Sequence, residues 1–159
     1  MGYTNMMDNA PDNIEMASNY RLIATSFFKS AKILYENRVV TGDGQTSIIT
    51  LPPVYYLISH ACELFLKSAL LKRGISEKDL KKQKIRHNLK ELTTTLINKT
   101  GLEFTENTRN LINALGLIHE KHHLRYWFLN PNHEIFKISM ASIEPAMEEL
   151  LMATRINRH

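Results

Sequence analysis

The stretch LPPVYYLISHACELFLKSALLKRG, residues 51–74, constrains this chain more than any other. Two prolines open it, where a first-turn proline forfeits no helical hydrogen bond. Gly74 closes it, as glycine commonly does after a helix. Between them Leu57, Ile58, Ala61, Cys62, Leu64, Phe65, Ala69 and Leu71 spread over a broad apolar face. A helix apolar over so much of its circumference must be wrapped by others, so it is expected to be the central element of a helical domain.

The rest of the sequence supplies those partners. Tyr20, Ile23, Phe27, Ala31 and Leu34 recur at helical spacing within 14–37. Leu89, Leu92, Leu96 and Ile97 mark a shorter helix that ends at Gly101. Leu111, Ile112, Leu115 and Ile118 mark another, with Thr105 placed to cap it. A last helix follows in IEPAMEELLMATR, with Pro145 expected in its first turn. Residues 1–13 read as a loose tail, and 14–156 as one domain. Gly42 and Gly44 break the loop after the first helix, where β-branched neighbours suit a short hairpin. With no βαβ alternation, the expected fold is all-α, an up-and-down bundle of four to five helices.

Composition narrows function only slightly. No window approaches the roughly 20 apolar residues that a membrane helix needs, and the N-terminus lacks a secretion pattern. The chain is therefore expected in the cytoplasm, without a membrane partner. Cys62, the single cysteine, excludes an internal disulfide and reads as a core residue, with a nucleophile as the alternative. The net charge of +4 is unevenly spread: between Lys67 and Lys90, nine Lys or Arg residues face only Glu77 and Asp79. Lys67, Lys81, Lys82, Lys84 and Arg86 are the candidate nucleic-acid contacts, since such a patch can displace counterions from phosphates. A solvated linker between helices is the other reading.

Two constellations carry candidate chemistry. Tyr56, His60, Glu63 and Lys67 fall at steps of four, three and four on the central helix, forming one polar stripe. The stripe either faces solvent or lines a groove between helices, where chemistry becomes available. Separately, His119-Glu120-Lys121-His122-His123 spells H-E-x-x-H, the spacing at which two histidines hold zinc and a glutamate activates water. Glu144 and Glu148 are the candidate third ligands. The interior positions Lys121 and His122 are polar, and no further histidine follows at the metzincin spacing, so no metal is assigned and a small zinc hydrolase stands as an alternative. Glu120-x-x-His123 would be half of a di-iron site, but the second half is missing. No phosphate-binding loop or other cofactor motif occurs.

The segments YYLISHACELFLKSALLKRG, RHNLKELTTTL and LIHEKHHLRYW, in this order and separated by the basic linker, resemble the HEPN (higher eukaryotes and prokaryotes nucleotide-binding) helical domain superfamily. The likeness spans about Tyr20 to Leu151. It implies a helical bundle that commonly dimerises, acting on or with RNA or a protein partner in toxin–antitoxin, abortive-infection or regulatory settings. Several members are metal-independent ribonucleases that use an Arg followed after four to six residues by a His. Here Arg125 precedes His133 with seven residues between, so the standard motif is not matched. The family-like positions are His60, Glu63, Lys67, His87, Arg125 and Tyr126. Catalysis, on this resemblance, would fall to Arg125 with His133 or His87, beside His60 and Glu63.

Overall fold

In a computed structural model, residues 12–39, 51–120 and 139–155 are described. They form an all-α bundle: α1 (Asn13–Glu36), α2 (Leu51–Lys72), α3 (Glu77–Leu80), α4 (Leu89–Thr100), α5 (Glu106–Glu120) and α6 (Met140–Ala153). Five are helices of several turns. The sixth, α3, is a single turn that the sequence reading left inside the basic linker. The expected hairpin in the loop after α1 lies outside the described residues.

Local signals place the helix ends. The Asp12 side chain accepts from Ile14 N, so α1 begins inside what the sequence suggested was a tail. Asn88 caps α4 by accepting from Glu91 N at 3.0 Å. Gly101 then closes α4 in the left-handed region at φ 67°, where a side chain would be strained. Thr105 caps α5 as expected, its Oγ1 accepting from Thr108 N at 3.3 Å. Ser139 starts α6 earlier than the sequence suggested, so Pro145 lies in the second turn rather than the first. That helix consequently lacks one amide donor.

As expected, α2 is central and packs against α1, α4, α5 and α6. Its Ile58, Ala61, Cys62, Phe65, Leu66, Ala69 and Leu70 are at most 1% exposed. Full burial of a leucine- or phenylalanine-sized side chain contributes about 1.5–3 kcal/mol, so this helix dominates the core energetics. Pro52–Lys72 is also long and apolar enough, by length and composition, to cross a membrane. The expectation that no such window exists is therefore corrected; 78% of the window is buried inside the fold.

The inner face of α1 differs from the expected one. Ala17, Ala24 and Ala31 form a fully buried seam at seven-residue intervals, while Ile23 and Leu34 are exposed. Small residues let the α1 backbone approach α2 closely, and Ser68 Oγ reaches across to donate to Ala17 O at 2.6 Å. That approach leaves Tyr20 and Phe27 half-buried at the flanks of the seam. Cys62 is a core thiol, as expected; its Sγ lies 3.4 Å from Met147 Sδ, and burial pushes its pKa up to about 12.

Candidate functional site: a buried carboxylate ringed by histidines

Glu63 anchors the polar stripe of α2. It is 3% exposed, in a helix whose neighbouring residues are almost all core. A buried carboxylate requires partners, and three segments provide them. Lys67, one turn further along α2, places Nζ 2.5 Å from Glu63 Oε1. His119, at the end of α5, places Nε2 2.6 Å from Oε2. His87, held just ahead of the Asn88 cap of α4, places Nδ1 3.2 Å from Oε1 and 3.4 Å from Oε2. Among the described residues no buried side-chain nitrogen or oxygen lacks a hydrogen-bond partner.

His60 completes the ring without touching the carboxylate. Its imidazole meets His119 edge-on, with centroids 5.1 Å apart. It also packs against Tyr56 at 4.4 Å and Phe27 at 5.8 Å. The alternatives left open for the stripe are thus resolved in favour of the groove: Tyr56 is at the rim, His60 is half-buried, and Glu63 and Lys67 are inside.

The electrostatics follow from this packing. Burial alone would raise the Glu63 pKa, but hydrogen bonds from His119 and Lys67, reinforced by their charge, outweigh it and hold the carboxyl at about 2. His60 moves the other way for a histidine: burial first, then the proximity of His119, lowers its pKa. The site therefore combines a firmly ionised carboxylate with an imidazole that favours its neutral form.

Comparison with family models, curated proteins and solved structures finds no match for this chain. The site therefore has to be read from its own residues. Of His60, Glu63 and His87, expected together from the resemblance, Glu63 and His87 meet, and His60 adjoins them through the His119 ring. Arg125, Tyr126 and His133 lie outside the described residues, as does His123 of the H-E-x-x-H pattern.

The candidate phosphate contacts separate into three groups. Lys67 is corrected: it is 8% exposed, and its ammonium is committed to Glu63 rather than to the surface. Lys81 and Lys82 are exposed but pair locally with Glu77 at 2.8 Å and Asp79 at 2.7 Å, both on α3. Lys84 and Arg86 are exposed; Lys84 is only loosely paired, 3.7 Å from Glu91, and Arg86 has no ion pair among the described residues. The zincin third-ligand candidates are also displaced, since Glu144 pairs with Lys32 of α1 at 2.7 Å and Glu148 is exposed.

His119 is the site residue that the family-like set omits. Its position was legible: it follows Ile112 and Gly116 at steps of four and three, on the inner row of α5. What the sequence did not supply was its partner, 56 residues away on α2.

Proposed function

We propose that the chain is a HEPN-like, RNA-associated helical module in a defence, toxin–antitoxin or regulatory setting, working as a homodimer. The observation that carries this reading is the position of His87. Its ring is 51% exposed, is tied to the buried Glu63, and belongs to a residue within three positions along the chain of the exposed cations Lys84, Arg86 and Lys90. A polyanion held by those cations would therefore lie against the rim of the histidine ring. On α2, Tyr56, whose ring packs on His60, lines an apolar groove of about 290 Å³ with Pro52, Pro53 and Leu57, a surface suited to stacking an unpaired base. The homodimer is supported by Leu22 and Ile33 of α1, 63% and 59% exposed and eleven residues apart, hence on one line of the helix.

The test is single-stranded RNA binding as a function of salt. Reversing Lys84, Arg86 and Lys90 to glutamate is expected to weaken binding about tenfold or more and to reduce the salt slope by about 2. Reversing Lys81 and Lys82, already neutralised by α3, is expected to do less. Binding that is insensitive to both salt and the triple reversal would remove this reading.

One contact favours a second reading, metal-independent RNA cleavage. If His87 donates its Nδ1 proton to Glu63, its Nε2 is left as an acceptor facing outward, the arrangement a general base needs to take a proton from a ribose hydroxyl. Arg125 would then stabilise the phosphodiester charge, with His133 as the alternative imidazole. Cleavage that persists in excess chelator and is lost in His87→Ala is expected on this reading. RNA left intact at high protein concentration would reject it.

A further inference from the structure

The same ring holds a donor set that the RNA reading does not use. His60, Glu63 and His119 each direct one ligand atom into a common space, all within 4.8 Å of one another. Two imidazoles and a carboxylate match the side chains that hold zinc at open, three-ligand sites. The scaffold is rigid where it must be: His60 and Glu63 stand one turn apart on α2, and His119 faces them from α5.

The distances require modest adjustment. Zinc bonds of about 2.0–2.1 Å place tetrahedral ligand atoms roughly 3.3 Å apart. Glu63 Oε2 and His119 Nε2, now 2.6 Å apart, share a hydrogen bond and would separate by less than about 1 Å as a cation replaced the shared proton. His60, half-buried and held among the described residues by ring contacts, can turn its ring inward. Lys67 holds the opposite carboxylate oxygen, Oε1, which orients Oε2 toward the cation position as outer partners of metal ligands commonly do. The remaining side opens toward His87, whose ring centroid is 6.2 Å from that of His119.

We propose that His60, Glu63 and His119 bind one divalent transition-metal ion of the zinc type, leaving an exchangeable position on the His87 side. This site shares His119 with the H-E-x-x-H pattern but uses neither Glu120 nor His123, so the two assignments can be separated by mutation. On binding, His119 Nε2 gives up the proton it shares with Glu63, and the ring holds the ion as a neutral imidazole with its proton on Nδ1.

The experiment uses the full-length, tag-free chain, stripped with chelator and dialysed, titrated with Zn²⁺ by calorimetry and with Co²⁺ by visible absorption. One Zn²⁺ per chain and a Co²⁺ ligand-field band are expected, with affinity reduced at least tenfold in His60→Ala and unchanged in His123→Ala. Because His60 is half-exposed, its variant is expected to fold; metal-free thermal melting checks this. His119→Ala tests the third ligand but also removes a buried hydrogen bond, so His60→Ala decides. Three results would overturn the proposal: no stoichiometric binding by the parent, unchanged binding in His60→Ala, or binding lost only in His123→Ala. RNA binding by the Lys84/Arg86/Lys90 reversal is measured separately, so failure of one reading leaves the other distinguishable.

Discussion

Glu63→Ala is expected to destabilise the metal-free protein by about 3–5 kcal/mol, the cost of leaving a buried charge without its partner. The substitution strands the Lys67 ammonium, which is 8% exposed, and removes the acceptor of His119 Nε2. It also opens a small cavity in the most tightly packed helix. For a chain of this size the fall in Tm is on the order of 10 °C. A double variant, Glu63→Leu with Lys67→Met, discriminates between a lost favourable contact and an orphaned charge. Apolar groups of similar volume need no ionic partner, so the double variant is expected to regain much of the lost stability. Urea unfolding of the parent, Glu63→Leu, Lys67→Met and the double variant closes the cycle. If Glu63→Ala unfolded at nearly the parental urea concentration, the network would not be a buried one.

Acidification is expected to remove stability through two groups of the site. Glu63 titrates at about 2 when folded and near its ordinary value of 4.5 when unfolded. Its contribution is therefore complete above about pH 4.5 and lost as the pH falls toward 2. The difference is worth about 3 kcal/mol, from 1.36 kcal/mol per unit. His60 acts earlier and in the same direction. Because its folded pKa is below the ordinary histidine value of 6.5, the unfolded chain takes up the proton first, and stability declines as the pH drops below that value. Thermal melting from pH 8 to pH 2 in the presence of chelator checks both. Glu63→Gln should flatten the acid limb and, by removing a charge that favours protonated His60, steepen the decline near neutrality, whereas His60→Ala should flatten the limb near neutrality. A Tm that held constant between pH 5 and pH 3 would show that the carboxylate is not held ionised by its neighbours.

The parts of this site on α2 were readable in the sequence, because steps of three and four fix which residues share a helical face. His60, Glu63 and Lys67 needed only that rule. Whether the face looked outward was not readable. The same spacing serves a solvated stripe and a buried one, and only α5 and the loop before α4 closing over it decide between them. The charge count misled for a related reason. Lys67 belongs by sequence to the basic run, yet its side chain emerges from the inner side of α2, so the carboxylate four residues earlier takes its charge.

The five long helices, the cap at Thr105 and the stops at Gly74 and Gly101 were determined by the sequence alone, since the forces that set them act within about four residues along the chain. The alanine seam of α1 already shows where that reach ends: Ala17, Ala24 and Ala31 are inside because α2 packs against them, while the larger Ile23 and Leu34 stay out. The meeting of Glu63 with His87 and His119, across 24 and 56 residues, was decided only by the tertiary structure. Burial there turns an ordinary glutamate into a carboxylate that must be satisfied, and only the packing of separate helices brings the groups that satisfy it.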